Sequence, residues 1–104
     1  MEFFRSVRAM LEKRVIPLLL LDEGGLVKGE TFRNHQYVGD PINTVRIFNE
    51  KFVDELIIVD RSAYEHGINF ELLTEIAGEA FMPLAYGGGV TSMDDFRALF
   101  ALGF

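Results

Sequence analysis

Three short apolar runs, each followed by a segment with helical periodicity, constrain the fold of this 104-residue chain more than any other feature. The runs occupy residues 14–21, 55–60 and 81–86. Continuous apolar runs of this kind are typical of parallel strands that are covered on both faces. Strands that alternate with helices predict an α/β fold with a parallel sheet and right-handed crossover connections.

Each predicted helix begins at a residue whose side chain can accept hydrogen bonds from the free N–H groups of the first helical turn. Asp40 followed by Pro41 starts the first helix, Asn69 the second and Ser92 the third. Asp95 stands three residues after Ser92, at the position of the reciprocal partner in a capping box. Apolar residues at helical spacing predict the buried faces: Val45, Phe48 and Phe52; Phe70, Leu73, Ile76 and Ala77; Met93, Phe96, Leu99 and Phe100.

Two further segments lie outside the predicted strands and helices of this pattern. Residues 2–13 place apolar side chains on one stripe at helical spacing, which predicts an amphipathic helix. Residues 22–39 form a long connection with two short extended pieces, and we expect them to fold into a small hairpin beside a functional site. Pro17 lacks a backbone N–H, so the first strand is expected to pair incompletely there.

The composition excludes several classes of function. Hydrophobic residues make up 49% of the chain, enough for a packed core, and the absence of cysteine excludes disulfides and thiolate metal sites. The net charge of −6 argues against general nucleic-acid binding, which needs a basic surface. No apolar run is long enough to span a membrane, and the charged N-terminal segment lacks a signal-peptide pattern, which favours a cytoplasmic protein. No spacing of residues implies a metal or an organic cofactor.

Three consecutive glycines, Gly87 to Gly89, lie between the third predicted strand and the third predicted helix. Glycine is the residue of strained turns, and this placement is compatible with a plain tight turn. Glycines at a strand-to-helix joint also allow backbone N–H groups to approach a phosphate, and the positive end of the helix dipole adds to the attraction.

The repeat of strand and helix is typical of a (βα)8 barrel, whose chemistry lies at the carboxyl ends of its strands. Asp60 ends the second apolar run at such a position. A closed barrel needs eight units and roughly 250 residues. We therefore expect residues 1–104 to be the N-terminal part of such a barrel, with about three βα units and an N-terminal helix.

Five segments carry a resemblance to a known family. They are Arg14–Pro17, Gly24–Gly29, Gly39–Pro41, Asp54–Asp60 and Gly87–Val90, in that order. Together they resemble the cyclase subunit of imidazole glycerol phosphate synthase, a (βα)8 barrel of histidine biosynthesis. The resemblance covers residues 14–104 and implies a lyase-type enzyme subunit.

The resemblance implies a phosphorylated small-molecule substrate with a phosphate at each end. Gly88 and Gly89 match the glycines that bind one phosphate. Lys28 matches a lysine of the first loop, which closes over the substrate, although a solvated surface charge is the plainer interpretation. Asp60 matches the aspartate that ends the second strand, for which a structural hydrogen bond competes with a direct role.

The resemblance also implies a glutamine amidotransferase, or glutaminase, subunit as partner. In the family this subunit delivers ammonia through a ring of charged residues at the N-terminal mouth of the barrel. Arg14 and Glu55 match two members of that ring, and without the barrel context they are ordinary charges at strand starts.

One position departs from the family pattern. The cyclase chemistry uses two aspartates, and the one on the first strand corresponds to Leu20, whose side chain cannot transfer a proton. Asp22 lies two residues later, on the same side of an extended strand, and is a weaker candidate for the role.

Three interpretations therefore stay open. The first is a cyclase-type subunit; its leucine-rich first strand resembles a branch of the family that is associated with amidation of sugars for lipopolysaccharide, in which the barrel delivers ammonia. The second is the related isomerase of histidine biosynthesis, phosphoribosylformimino carboxamide ribotide isomerase, which shares the strand end at Asp60 and the glycine joint but needs no glutaminase. The third is an inactive fragment of a barrel.

Overall fold

The computed structural model describes residues 14–31 and 34–104. The helix predicted over residues 2–13 lies outside them. The described residues form five strands and four helices: β1 Leu18–Asp22, β2 Gly25–Thr31, β3 Asn34–Gly39, α1 Pro41–Glu50, β4 Leu56–Asp60, α2 Ala63–His66, α3 Phe70–Glu79, β5 Leu84–Gly87 and α4 Met93–Leu102.

One five-stranded sheet joins these strands in the order β3-β2-β1-β4-β5. β1, β4 and β5 run parallel, with Leu20 beside Val59 and Val59 beside Gly87. The antiparallel pairing of β2 with β3 confirms the predicted hairpin in residues 22–39, and β2 also extends the sheet by pairing antiparallel with β1. The predicted α/β class is confirmed, and the architecture is that of an incomplete (βα)8 barrel.

β1 starts later than the apolar run that predicts it. The run begins at Arg14, whereas regular strand geometry begins at Leu18. Pro17 has no N–H to donate, as expected, yet its carbonyl accepts a hydrogen bond from Ile57 N at 3.0 Å. The chain is therefore held against β4 upstream of the strand without a complete ladder.

The sheet is covered on one face only in the described part of the chain. Leu19 and Leu21 of β1 are buried, whereas Leu18 on the opposite face is 58% exposed. The described residues thus cover one face of the apolar strands, which is the half-covered sheet expected of about three βα units. The buried core joins one sheet face to α1, α3 and α4 and consists of Leu19, Leu21, Leu26, Val45, Leu56, Ile58, Leu73, Ile76 and Leu99.

The three predicted helix starts are confirmed by side-chain capping bonds. The side chains of Asp40, Asn69 and Ser92 accept hydrogen bonds from the N–H groups three residues later. Each bond satisfies an N–H that has no partner inside its own helix. Asp95 stands at the reciprocal position of a capping box, and its carboxylate accepts a hydrogen bond from Thr91 N at 3.0 Å.

Several residues predicted to be buried are exposed. Phe52 lies beyond the end of α1 and is 89% exposed. On α4, Leu99 is buried, but Met93, Phe96 and Phe100 are 65%, 48% and 71% exposed. The periodicity of α4 thus identifies an apolar face correctly, while only part of that face meets the described core.

Asn49, near the end of α1, fastens this helix to the segment between α3 and β5. Its side-chain NH2 donates to the Glu79 carbonyl at 2.7 Å, and its side-chain oxygen accepts from Phe81 N at 2.9 Å. Phe81, 87% exposed, and Phe52 line the same groove at the N-terminal edge of the sheet. The hydrogen bonds of Asn49 therefore hold together the two segments that carry Phe52 and Phe81.

Phe52 is predicted to destabilise the chain, because its φ of +54° is a left-handed conformation that costs an aromatic residue about 1 kcal/mol or more. Replacing this exposed side chain by glycine removes the strain and little burial. We expect Phe52→Gly to raise the free energy of unfolding by about 1 kcal/mol in urea unfolding.

Phe81→Gly is the matched control, since Phe81 is almost equally exposed but lies outside the left-handed region. There glycine only adds backbone freedom to the unfolded chain, so a loss of stability of up to about 1 kcal/mol is expected. Equal losses for the two glycine variants would contradict the assignment of strain to Phe52.

Candidate functional site

The carboxyl ends of β1, β4 and β5 meet at one edge of the sheet because these strands run parallel. Asp22 and Asp60 end β1 and β4, and the glycines follow β5. The edge thus carries Asp60 on the buried face of the sheet, Asp22 on the opposite face and the glycine-rich loop, which are separated by up to 67 positions in the sequence, from Asp22 to Gly89. In barrels of parallel strands this is the edge where ligands bind.

Asp60 is the one buried charged residue among those whose burial the structure describes, at 3% exposure. Its Oδ1 accepts two hydrogen bonds from Ser62, one from the backbone N at 3.0 Å and one from Oγ at 2.7 Å. A buried carboxylate needs such donors to replace the water it has lost. Asp60 thereby shapes the turn that leads from β4 into α2.

Ser62 extends this contact to the turn between β1 and β2. Its Oγ accepts a hydrogen bond from Glu23 N at 2.9 Å. A backbone N–H can only donate, so the single hydroxyl hydrogen of Ser62 is available for Asp60. Glu23 and Gly24 have φ values of +51° and +81°, the left-handed pair that a tight two-residue hairpin turn requires.

The glycine loop is seated directly on the backbone that follows β4. A Cβ atom added to Gly88 would lie 2.4 Å from the Asp60 carbonyl oxygen, and one added to Gly89 would lie 2.7 Å from that of Ala63. Both residues have positive φ, at 128° and 66°. Close packing and backbone conformation therefore both require glycine here, independently of any ligand.

The amides of Gly88 and Gly89 face no acceptor within residues 14–31 and 34–104. They are the groups that a phosphate oxygen would contact. The start of α4 contributes less than the sequence suggests, because the Ser92 side chain already caps it and Asp94 and Asp95 place two carboxylates in its first turn. A phosphate at this edge would be held by the glycine amides rather than by the helix dipole.

The two strand-1 candidates lie on the uncovered face of the sheet. Leu20 and Asp22 alternate with the buried Leu19 and Leu21, so both side chains point away from the core. Leu20 lies beside Val59, which leaves an apolar row at the position where the resemblance predicts a carboxylate. Lys28 lies in β2, paired with Gln36 of β3, so the predicted loop lysine is part of a hairpin strand.

Arg14 and Glu55 lie at the opposite, N-terminal edge of the parallel strands. Arg14 Nη2 donates to Glu55 Oε1 at 2.7 Å, and both side chains are about two-fifths exposed. Next to them, Val15 N donates to Asp54 Oδ2 at 2.6 Å, which anchors the chain before β1. The two residues predicted to belong to the charged ring thus form an ion pair, and β4 separates this pair from Asp60 by about 16 Å at the usual rise per residue.

A cavity of about 350 Å³ opens beside the Asp60–Ser62 turn. His66 on its rim is exposed, with Nε2 3.9 Å from carboxylate oxygens of Glu23 and Glu65. Within the described part of the chain, no three metal-ligating side chains come together in a way that could hold an ion. None of the described helices has the length and apolar character needed to cross a membrane.

Tyr86 of β5 carries an unusual hydroxyl group. Its oxygen is buried and has no hydrogen-bond partner among the described residues. Burial, with smaller contributions from the negative charges of Asp60 and Asp95, raises the pKa of Tyr86 to about 12. The ring meets Phe104 edge to face at a centroid distance of 6.1 Å.

Sequence reasoning missed Ser62 and Asn49. Ser62 follows a strand-ending aspartate by two residues, and a carboxylate that bonds the backbone two residues on is a known turn motif that marks this pair. Nothing local identifies the bond between Ser62 and Glu23, because 39 positions separate them. The two bonds of Asn49 likewise depend on the packing of α1 beside α3.

The chain matches the family described as "Histidine biosynthesis protein" over residues 14–104. It is 52% identical over 96 residues to a Pseudomonas aeruginosa protein provisionally named imidazole glycerol phosphate synthase subunit hisF2, covering 90% of this chain and 38% of the relative. It is 48% identical to a Leptospira borgpetersenii protein with a similar provisional name, again over 90% and 38%.

An imidazole glycerol phosphate synthase subunit HisF from Methanococcus maripaludis is 40% identical over 90% of this chain and 35% of its own length. The chain therefore spans between a third and two-fifths of the length of these relatives.

Gly88→Ala is expected to lower the free energy of unfolding by about 3 kcal/mol, since its Cβ would overlap a backbone oxygen that cannot rotate away. Gly78→Ala is the matched control: Gly78 lies in α3 with no atom within 4 Å of its added Cβ, so a gain of about 1 kcal/mol is expected. Urea unfolding measures both, and an unchanged Gly88→Ala protein would show that the loop is not seated on Asp60.

Tyr86 is expected to make stability pH-dependent in the alkaline range. Its folded pKa of about 12 exceeds the unfolded value of 10, so its contribution is complete below pH 10 and is lost between about pH 10 and 12. In thermal unfolding, Tyr86→Phe should remove this loss, whereas Tyr64→Phe, at a side chain that is 82% exposed, should retain it. Equal alkaline slopes for wild type and Tyr86→Phe would contradict the burial of this hydroxyl.

Proposed function

Because the chain belongs to the histidine biosynthesis protein family, we propose that it is the N-terminal part of a cyclase-type barrel subunit of the imidazole glycerol phosphate synthase kind. In this proposal it acts with a glutaminase subunit and places ammonia on a phosphorylated substrate. The observation that carries the proposal is the glycine loop at the carboxyl edge of the parallel strands, where the amides of Gly88 and Gly89 have no hydrogen-bond acceptor among the described residues.

The two edges of the sheet suit the two halves of this function. The carboxyl edge holds the glycine amides and continues through the β2–β3 hairpin that carries Lys28. The N-terminal edge holds the ion pair of Arg14 and Glu55, which we propose as part of the entry for ammonia. Neutral ammonia released at one edge would reach the other through the space lined by the uncovered apolar face of the sheet.

Leu20 favours a particular version of this function. Its row with Val59 and Gly87 offers no group that can give or take a proton, and Asp22 is the carboxylate next along the same face. We propose that the subunit delivers ammonia to a sugar-like acceptor, such as one used in surface-glycan amidation, rather than closing the imidazole ring. The isomerase interpretation is disfavoured by the same leucine, because that reaction also needs an aspartate on the first strand.

Binding of inorganic phosphate tests directly whether the glycine loop is a phosphate site. In amide NMR of the ¹⁵N-labelled chain, phosphate is expected to shift the signals of Gly88 and Gly89 in a saturable way, because its oxygens accept from these N–H groups. Chloride at matched ionic strength is the control and should leave both signals in place. Shifts that are absent, or that spread evenly over all surface amides, would contradict a phosphate site in the glycine loop.

The three interpretations differ in what a glutaminase subunit adds. For a cyclase-type subunit it binds the chain and supplies ammonia; turnover of the histidine-pathway intermediate with Leu20 intact would then exclude the sugar-amidation version. For an isomerase it neither binds nor changes the rate. For an inactive fragment it produces no turnover, whatever it binds.

A further inference from the structure

Ser62 links three separate segments at the carboxyl edge of the sheet. Its hydroxyl lies 2.7 Å from Asp60 Oδ1 and 2.9 Å from Glu23 N, so it bridges the end of β4 and the turn between β1 and β2. The third segment is the glycine loop, which rests on the backbone on either side of Ser62, at Asp60 and Ala63.

The bridge has a fixed direction. Glu23 N can only donate, so the Ser62 oxygen accepts there and its hydrogen goes to Asp60. Both hydrogen-bonding functions that the structure gives this hydroxyl are therefore used, and Asp60 has no freedom to turn elsewhere because it is 3% exposed. A shift of the β4 end would be transmitted to Glu23 through two short hydrogen bonds.

The backbone on both sides of the bridge is held in restricted conformations. Glu23 has a φ of +51°, which a non-glycine residue keeps only when its surroundings determine it. Gly88 lies too close to the Asp60 carbonyl to tolerate even one added carbon atom. Arg61 N also donates to the Leu21 carbonyl at 3.0 Å, which ties the same turn to β1. Together these contacts restrict independent movement of the β1–β2 turn, the end of β4 and the glycine loop.

We infer that Ser62 is a positioning residue that couples the β1–β2 turn, and the hairpin that follows it, to the glycine loop. This inference rests on the proposed function, in which the glycine loop binds a phosphate of the substrate at the edge of the sheet that continues into the hairpin of Lys28. Through Ser62, phosphate binding at Gly88 and Gly89 sets the orientation of the turn that leads to Lys28. Ser62 itself need not touch the substrate.

Amide NMR of the ¹⁵N-labelled chain tests this inference, with inorganic phosphate as the probe. In Ser62→Ala without phosphate, the signals of Gly88 and Gly89 are expected to shift together with that of Glu23. The dissociation constant for phosphate is expected to rise about five- to tenfold, the size of effect that follows when a positioned donor or acceptor is lost. Phosphate should also cease to shift the Lys28 amide.

Ser62→Thr keeps a hydroxyl group at this position, so its dissociation constant for phosphate should lie within about twofold of the wild-type value. Thr74→Ala is the matched control, because it removes a hydroxyl bonded to a backbone carbonyl at 2.7 Å on an exposed side of α3. It should change none of these signals. If Ser62→Ala does not fold, Ser62→Cys replaces it, since sulfur fills the space but bonds only weakly.

The possible outcomes distinguish failure of the positioning role of Ser62 from failure of the proposed function. If wild type binds phosphate and Ser62→Ala binds it equally well, with only the Glu23 signal altered, the positioning role is overturned and the proposed function stands. If phosphate shifts neither glycine amide in wild type, the proposed function fails and the positioning role fails with it.

Discussion

The parallel register of β1, β4 and β5 is the constraint on which the rest of the structure depends. It places Leu20 beside Val59 and Val59 beside Gly87, so the three strands end at one edge and begin at the other. The crossover helices all pack on one face, where Leu21, Ile58 and Ile76 are fully buried. The opposite face is left uncovered in the described chain, and both candidate sites lie at its ends.

Glycine at the β5–α4 joint is required by packing, at a position where we also propose that it binds a phosphate. Only glycine fits at positions 88 and 89, because a side chain on Gly88 or Gly89 would collide with the carbonyl oxygen of Asp60 or Ala63, respectively. Their amides have no hydrogen-bond acceptor among the described residues, which is compatible with the phosphate site that we propose. A triple glycine in a sequence therefore does not separate a structural turn from a binding loop, because one backbone path is compatible with both.

Whether a feature of this structure can be predicted from the sequence depends on how many positions separate the residues that interact. The caps at Asp40, Asn69 and Ser92 are bonds across three residues, so local sequence predicts them and the structure confirms them. The buried faces of the helices were predicted less well. Phe52 and Phe100 obey helical spacing but are exposed, since burial depends on what an element packs against rather than on its own periodicity.

The sequence by itself determined the alternation of strands and helices, the helix starts and the strand-end positions of Asp60 and the glycines, because each follows from local backbone preferences and hydrophobic period. Only the tertiary structure decided that Ser62 meets Glu23 and that Arg14 meets Glu55, across 39 and 41 positions. Such contacts exist only once strands far apart in the chain adopt one register. The physical reason is that a hydrogen bond requires atoms within about 3 Å, and only strand pairing brings these segments that close.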